Sequence, residues 1–378
     1  MNKNWEYVTF DKLFEWNEKS KIKSGDGLKE GEFDFFVCSD TEIKKYNKAL
    51  FHGEALIFGT GGKPSLHYKN GSFAYSTDCV VASKIVKDIN LKFVYYYLRQ
   101  GCLKQLQEGF KGSGLQHISK KYIEKLLIPN INIKEQNRIV ERIEELFSEL
   151  DIGIKTIKST NDQITIYKLS ILKDVFSENF SKKTIEAVSE FVTSGSRGWA
   201  QYYTDKSNTR FVRITDLTRD SIVLKNDNIQ YLSLPEKVEG KRSLLKPNDV
   251  LVSITADLGS IALIPDSIGE AYINQHIALI RFSNSNLGKC MAYYLKSCYG
   301  QKDLLKNKRG GGKLGLGLDD IRKTPVPDIT EEKANELVNK IETKLTVCNE
   351  IQKNINDMYL QSEMLRQSIL IKAFEGGL

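Results

Sequence analysis

SILIKAFEGGL (Ser368–Leu378), the last eleven residues of the chain, repeats an internal stretch, SILKDVFSENF (Ser170–Phe180). The two stretches lie 198 residues apart, and Phe374 falls on Phe176. Further matches follow in the same order in both halves: FFVCSD (35–40) with FVRITD (211–216), EALIFGTGG (54–62) with DVLVSITADLG (249–259), AYSTDCVVA (74–82) with AYINQHIAL (271–279), and YYYLRQG (95–101) with YYLKSCYG (293–300). One tandem duplication explains this order, since the period is far longer than that of solenoid repeats.

Each half ends in a long segment with helical character. Residues 134–174 and 331–375 contain none of the seven prolines and only one glycine, Gly153. Apolar residues recur there at steps of three, four or seven, which is the spacing of a seam along a helix. Asn132 and Thr330 are the predicted N-caps. Neither helix can bury its seam alone, so we expect the two helices to pack on each other.

The remainder of each half contains short β-type runs separated by turn signals. A short helix is expected around 93–107 and again around 289–305. The sequence therefore predicts an α+β fold, in which two tandemly duplicated mixed α/β domains are separated by two long helices that pair as an antiparallel coiled coil. The predicted boundaries are 1–132 and 181–329 for the two domains, and 133–180 and 330–378 for the two helices.

Composition excludes several classes of protein. No apolar run approaches membrane-spanning length, and the N-terminus lacks the profile of a signal peptide. The six cysteines are scattered without a CxxC pair, which predicts a reduced, cytoplasmic protein without disulfides. The four histidines are scattered too, so no metal site is expected. GTGGKPS (Gly59–Ser65) lacks the spacing of a cofactor loop. We therefore expect no catalytic residue and no bound cofactor.

The distribution of charge separates the domains from the helices. The two helical segments hold thirteen Lys/Arg and sixteen Asp/Glu, which leaves 42 Lys/Arg and 32 Asp/Glu of the totals of 55 and 48 for the remainder. The excess of positive charge therefore lies in the paired domains, as expected of domains that approach a polyanion. The alternative is that a pI near 8.8 carries no functional meaning.

Two equivalent glycine-containing loops are the first candidates for DNA contact. They are EGFKGSGLQHIS (Glu108–Ser119) and KNKRGGGKLGLGLDD (Lys306–Asp320). Glycine allows close approach to phosphates, cations supply charge, and glutamine and arginine can read base edges. The predicted DNA-binding residues are Lys111, Ser113, Gln116 and His117 in the first loop, and Lys306, Lys308, Arg309 and Lys313 in the second. The alternative is a pair of surface loops with solvated lysines.

A third loop, TSGSRGWAQYY (Thr193–Tyr203), adds Arg197, Trp199 and Tyr202 as candidates for DNA contact. For Trp199 a place in the domain core is an equal alternative, because tryptophan is usually buried. Lys63 is a weaker candidate in the first half.

The chain resembles the DNA specificity (S) subunits of type I restriction–modification systems over its whole length. The resemblance rests on the duplicated plan and on the junction from Ile128-Pro129 to Glu135-Gln136 that leads into a long helix. It rests also on the terminal SILIKAFEGGL, the opening WEYVTFDKL (Trp5–Leu13), and SGS followed by FVRITDL (Ser194–Leu217). The second junction reads EEK (Glu331–Lys333) where EQ is usual, which we interpret as drift in a capping region with little consequence.

The resemblance implies a non-catalytic subunit that binds double-stranded DNA. Each domain would be a target recognition domain that reads one half of a bipartite, asymmetric sequence, and the coiled coil would set the gap between the half-sites. The implied partners are two modification subunits, which bind S-adenosylmethionine and methylate adenine, and two restriction subunits, which use ATP and Mg²⁺. No membrane is involved.

Two alternatives belong to other classes: a coiled-coil scaffold whose globular ends bind proteins, and a self-sufficient enzyme, which the lack of a cofactor loop disfavours. The repeated tail is expected to be the end of the second helix. It would lie beside the start of the first helix and form a structural joint with the opposite domain.

Overall fold

The computed structural model describes residues 5–235, 241–308 and 314–377. The chain divides into two compact units. Unit 1 comprises Met1–Ile157 and Asn356–Leu378, and unit 2 comprises Lys158–Ile355.

The elements of the first half of the chain are β1 (Tyr7–Thr9), β2 (Phe14–Trp16), β3 (Phe33–Phe36), β4 (Ile43–Tyr46), β5 (Phe51–Gly59), β6 (Ser65–Tyr75), β7 (Cys79–Lys84), α1 (Leu91–Gln107), α2 (Lys120–Glu124), β8 (Leu127–Pro129) and the long helix α3 (Ile133–Val175).

The elements of the second half are β9 (Lys182–Thr184), α4 (Ile185–Val188), β10 (Phe191–Ser194), β11 (Tyr203–Thr204), β12 (Thr209–Val212), β13 (Gln230–Leu232), β14 (Val250–Ser253), β15 (Ile261–Leu263), β16 (Ala271–Ile273), β17 (Ile277–Arg281), α5 (Ser285–Lys296), α6 (Cys298–Leu304), α7 (Leu318–Arg322), β18 (Pro325–Pro327) and the long helix α8 (Glu331–Glu375).

Unit 1 is built on a six-stranded sheet in the order β2-β7-β5-β6-β3-β4, with β3 and β6 parallel and the other pairs antiparallel. The central strand β5 is covered on both faces. Leu56 and Phe58 belong to the core cluster shared with α1, and Ala55 and Ile57 belong to a second cluster on the opposite face. Each large apolar side chain buried in this way contributes about 1.5–3 kcal/mol.

Unit 2 contains two four-stranded sheets, β10-β17-β14-β15 and β11-β13-β12-β16. The division has a local cause. Where unit 1 has the single eleven-residue strand β6, unit 2 has β15 and β16, separated by a turn that contains Pro265 and Gly269. Proline cannot donate to a strand ladder, and Gly269 has a φ of +68°, so one continuous strand cannot form there.

Equivalent strands nevertheless pair in the same register in the two units. The matching pairs are Gly59–Cys79 and Ser253–Ile277 in one antiparallel ladder, and Phe36–Tyr75 and Val212–Ile273 in the parallel ladder. Both units therefore fold on one strand plan, and the prediction of a duplicated mixed α/β fold is confirmed.

Each long helix contributes one part to each unit, and the parts pair antiparallel within the unit. In unit 1, Arg366 of α8 bonds Asp151 and lies 4.5 Å from the Phe147 ring centroid, both of α3. In unit 2, Lys168 of α3 donates to Gln352 of α8 at 2.8 Å, and further along Asp174 lies 3.5 Å from Lys344. Positions that ascend in α3 therefore meet positions that descend in α8.

The two repeated helix ends have the same structural role. In unit 1, Phe374 is buried and packs edge-on against Phe93 and Tyr97 of α1. In unit 2, Phe176 is buried and packs edge-on against Tyr294 of α5. The structure confirms that the tail is a joint between the end of α8 and the first domain.

The predicted N-caps of the long helices are confirmed. Asn132 Oδ1 accepts from the backbone N of Glu135 at 2.9 Å, and Thr330 Oγ1 accepts from that of Lys333 at 3.3 Å. Each bond satisfies one of the free N–H groups of the first helical turn.

The junction before α3 does more than cap the helix. Gln136 is only 1% exposed, and its Oε1 accepts from the backbone N of Asn90 at 2.8 Å while its Nε2 donates to the carbonyl oxygen of Ile131 at 2.8 Å. This buried amide holds α3 to the start of α1. Unit 2 has the buried Ala334 at the equivalent position and ties the same elements through an Asn284–Glu331 side-chain bond.

The short helix predicted in each half is present, but its helical segment is broken in both halves. In unit 2, α5 ends at Ser297 (ψ 161°), whose Oγ caps α6 by accepting from Gly300 N at 3.2 Å. The break lets Gly300 approach Tyr294, where a Cβ would lie 2.1 Å from the carbonyl oxygen. In unit 1 the break falls at the equivalent Gln100 (ψ 147°), and left-handed backbone follows at 101–103.

Candidate nucleic-acid interface

The candidate loop of unit 1, Glu108–Ser119, and the turn before Lys63 are held together by backbone bonds. Gly62 N donates to the carbonyl oxygen of Gln116 at 2.8 Å, and Lys111 and His117 exchange two backbone bonds of 3.0 Å. His117 Nδ1 lies 3.2 Å from the carbonyl oxygen of Thr60. One surface, which we call face 1, therefore collects the exposed side chains of Lys63, Lys111, Ser113, Gln116 and His117.

The turn between β6 and β7 adds a residue that the sequence analysis missed. The carbonyl oxygen of Asp78 accepts from Thr60 N at 2.9 Å and from Thr60 Oγ1 at 2.8 Å, which fixes this turn against face 1. The exposed Asp78 carboxylate accepts from Ser24 Oγ at 2.6 Å. A carboxylate on such a surface is suited to accept from the N4 amino group of cytosine.

A thiol lies directly behind face 1. Gly61 N donates to Cys38 Sγ at 3.4 Å, and Cys38 Sγ lies 2.8 Å from the carbonyl oxygen of Asp78. A hydrogen bond with the Cys79 side chain lowers the pKa of Cys38 to about 7, while the same bond raises that of Cys79. The half-buried Cys38 is therefore the more reactive thiol of the pair.

Unit 2 assembles an equivalent surface, face 2, from the corresponding backbone contacts. Leu316 N donates to the carbonyl oxygen of Ile254 at 2.9 Å, as Ile118 N does to that of Thr60 at 3.1 Å in unit 1. Thr255 forms an isolated β-bridge with Gly315, as Gly61 does with His117. The loop before α7 is thereby anchored at the end of β14.

The loop that carries Arg197 joins face 2 from the other side. Ser196 forms a parallel bridge with Asn274, and a Cβ on Gly195 would lie 1.9 Å from the carbonyl oxygen of Ile273. Only glycine fits where the two backbones meet so closely. Arg197 is exposed beside this contact.

Face 2 contains three side chains joined by hydrogen bonds, which sequence reasoning also missed. Thr255 Oγ1 lies 2.7 Å from His276 Nδ1, and His276 Nε2 lies 2.8 Å from Gln275 Nε2. The matched stretches AYSTDCVVA and AYINQHIAL carried a signal, because their turns diverge. In the strand register Tyr75 corresponds to Ile273 and Cys79 to Ile277, so the turn reads STD in unit 1 and NQH in unit 2. A turn that differs while the strands on both sides match can give the two units different base specificity.

The remaining candidates of unit 2 occupy different environments. Lys306 and Lys308 are exposed in the turn after α6. Arg309 and Lys313 lie outside the described residues. Trp199 is only 4% exposed and packs against Phe211 and Tyr272.

The core alternative for Trp199 is therefore correct, since its indole has almost no surface left to offer DNA. The partly buried Tyr202 packs on the same cluster. Arg197, Lys306 and Lys308 are the described cations of these loops that remain as candidates.

Residues 5–235, 241–308 and 314–377 contain no group of three or more His, Cys, Asp or Glu side chains that could hold a metal ion. Among the same residues, no helix is long and apolar enough to cross a membrane.

Two equivalent units, each with cationic and amide side chains on paired loops, are the features of a protein that reads nucleic acid at two places. The family profile described as "Type I restriction modification DNA specificity domain" matches residues 2–165 and again residues 172–358. The chain belongs to this family of type I restriction–modification DNA specificity subunits.

Curated relatives agree with the family. The chain is 20% identical to the specificity subunit of the type I restriction enzyme EcoBI of Escherichia coli over 354 residues, which is 86% of this chain and 74% of the relative. It is also 20% identical to the EcoDI specificity subunit of the same species over 404 residues, covering 99% of this chain and 89% of the relative.

Solved structures show the same fold. A chain from a type I restriction–modification system studied for complex assembly and conformational transition matches with a TM-score of 0.71 at 17% identity, covering 100% of this chain and 99% of that chain. The HsdS subunit from Thermoanaerobacter tengcongensis matches with a TM-score of 0.51 at 16% identity, covering 100% and 98%.

Proposed function

We propose that this chain is the non-catalytic, sequence-reading subunit of a type I restriction–modification complex, and that each unit reads one half of a bipartite, asymmetric DNA target. The observation that carries the proposal is that faces 1 and 2 are built by equivalent backbone bonds and display different side chains. A shared frame places both faces alike on DNA, while different side chains select different bases.

The helix pairs have the task of separating the two faces by a fixed distance along DNA. Two half-sites read from one side of the duplex must keep their spacing relative to the helical turn of about 34 Å. Helices packed along an apolar seam hold such a distance better than a flexible linker would. We therefore assign the undefined gap of the target to α3 and α8.

The exposed apolar surface of the helices supports docking of partner subunits. Met358, Leu360, Met364 and Leu365 of α8 are 51–69% exposed in unit 1. Ile166, Tyr167 and Leu169 of α3 are 49–67% exposed in unit 2. Apolar patches of this kind mark protein interfaces. We assign these patches to two modification subunits, one for each unit.

The partner subunits would then carry out the catalytic steps. The modification subunits would bind S-adenosylmethionine and methylate adenine, which must be flipped out of the duplex beside each reading unit. Restriction subunits, using ATP and Mg²⁺, would complete the complex in the cytoplasm. This chain would bind no cofactor of its own.

A methylation assay with purified components tests the proposal. The chain alone should transfer no methyl group to DNA, and the chain together with its modification subunit should methylate DNA that contains the target. The patch on α8 has its own test. Met364→Glu should abolish pull-down of the modification subunit, and Glu363→Gln at the neighbouring position should leave it intact.

Two results would contradict the proposal. Methyl transfer by the isolated chain would show a self-sufficient enzyme. Failure of the assembled complex to bind any DNA at moderate salt would favour a protein-binding scaffold.

A further inference from the structure

We propose that Gln275 reads an adenine in the half-site of unit 2, and that His276 and Thr255 are positioning residues that fix the orientation of its amide. The inference rests on the proposed function, since it names a base-reading side chain within face 2.

The hydrogen bonds define the protonation of the imidazole. Gln275 Nε2 is a donor, so the His276 Nε2 that lies 2.8 Å from it must accept. Neutral histidine then carries its proton on Nδ1, and that N–H donates to Thr255 Oγ1 at 2.7 Å. The hydroxyl of Thr255 thus accepts from the imidazole tautomer that holds the amide of Gln275, and it fixes the orientation of the ring.

The turn that carries Thr255 is itself held rigidly. Ala256 has a φ of +58°, a left-handed conformation that costs alanine about 1–2 kcal/mol. The neighbouring Asp257 accepts from Arg219 Nε at 2.8 Å and from Ser260 Oγ at 2.8 Å, which keeps the turn in this conformation. Strain maintained by surrounding bonds is typical of functional turns.

The bonding leaves two groups of Gln275 available. Within the described part of the chain, neither its Oε1 nor its second Nε2–H has a protein partner. The half-buried side chain lies one residue from Asn274, whose backbone bridges to Ser196 beside the exposed Arg197. An acceptor and a donor in one fixed plane are therefore presented on face 2.

Adenine is the base whose major-groove edge matches this pair. Its N6 amino group donates to an amide oxygen, and its N7 accepts from an amide N–H. Guanine presents two acceptors, O6 and N7, so the fixed Oε1 would meet an acceptor. The adenine that Gln275 reads must differ from the methylated adenine, because the latter is flipped out of the stack.

Unit 1 cannot make the same contact. In the strand register, the unit 1 residues at the positions of Gln275 and His276 are Thr77 and Asp78, and Gly61 stands where unit 2 has Thr255. The selectivity for adenine should therefore be confined to one half of the target.

The test is selection of bound sequences from a random DNA library by the complex of this chain with its modification subunit. Gln275→Ala should lower discrimination at one unmethylated adenine of one half-site by about 5- to 150-fold and leave the other half unchanged. Gln275→Glu should move the preference at that position toward cytosine, since a carboxylate accepts from the cytosine N4 amino group.

Two further variants separate reading from folding. Thr255→Val should weaken selection at the same position only, whereas Gln230→Ala, which removes an amide bonded to the Tyr231 carbonyl within β13, should leave the motif unchanged. An unchanged motif for Gln275→Ala, or relaxation at a base other than adenine, would overturn the inference. Absence of any two-part motif for the wild-type complex would instead overturn the proposed function.

Discussion

Units 1 and 2 share one strand plan but stabilise it with different residues. Gly62 of unit 1 and Ala256 of unit 2 occupy the same left-handed position, with φ of +81° and +58°. A buried glutamine, Gln136, ties α3 to unit 1, whereas unit 2 has Ala334 there. Backbone pairing thus preserves the frame after duplication, while side chains on and behind the two faces are free to diverge.

The largest effect is expected where the two repeated phenylalanines join helix ends to domains. Phe374→Ala should destabilise unit 1 by about 3–5 kcal/mol, because a buried aromatic ring is lost from the core. Phe176→Ala should have a similar cost in unit 2. Hydrogen exchange resolved by peptide would locate each loss of protection.

Each substitution should loosen mainly its own unit. Equal loss of protection in both units from either change would break the assignment of one joint to each unit. Truncation of residues 368–378 should reproduce the effect of Phe374→Ala and also disrupt methylation.

The second effect concerns the buried Gln136 side chain, which holds α3 to the start of α1 in unit 1 and has no counterpart at Ala334 of unit 2. Gln136→Ala should cost about 1–3 kcal/mol, because the buried amide is lost and the part-buried backbone N–H of Asn90 loses its acceptor. Glu135→Ala, which removes an exposed ion pair with Arg138, should change stability by less than about 1 kcal/mol. Denaturant unfolding measures both, and equal costs would contradict the buried role of Gln136.

The third effect concerns the cations of face 2. Lys306→Ala combined with Lys308→Ala should weaken DNA binding by the assembled complex and reduce the slope of log K against log salt by about 2. The matched control, Lys340→Ala with Lys353→Ala on α8, removes the same charge from a helix. An unchanged slope in the first variant would remove this loop from the DNA interface.

The fourth effect uses a thiol that unit 2 lacks, since Ile214 occupies the position of Cys38. Labelling of Cys38 by a maleimide should relax base selection severalfold in the half-site of unit 1 alone. The rate should rise with pH and reach half its maximum near pH 7, because the thiolate reacts and its pKa is about 7. Cys38→Ser should abolish this effect while the exposed Cys102 and Cys298 still react; relaxation that persists would contradict it.

The smallest effect tests the strained turn of face 2. Ala256→Gly should stabilise unit 2 by about 0.5–1 kcal/mol, because glycine adopts the left-handed region without the clash of a Cβ. Thermal unfolding measures the gain. Destabilisation would show that the turn is not strained by its side chain.

The sequence predicted the shared backbone plan better than it predicted the arrangement of side chains on faces 1 and 2. The repeat order and apolar seams predicted the duplicated domains and the pairing of α3 with α8, because both depend on periodic burial. The sequence left the core and the surface as equal alternatives for Trp199, and it did not indicate the breaks at Gln100 and Ser297, since both depend on contacts made after folding. The hydrogen bonds that link Thr255, His276 and Gln275 join residues about twenty positions apart, so their geometry exists only in the folded unit.

The central claim is that each unit reads its own half of the target, and methylome sequencing tests it most directly. Cells that carry this chain and its modification subunit should show one methylated motif with two specified halves around a fixed number of undefined base pairs. Gln116→Ala on face 1 should loosen one half only. A contiguous palindromic motif, or a loss of selectivity spread over both halves in the Gln116→Ala variant, would contradict the account.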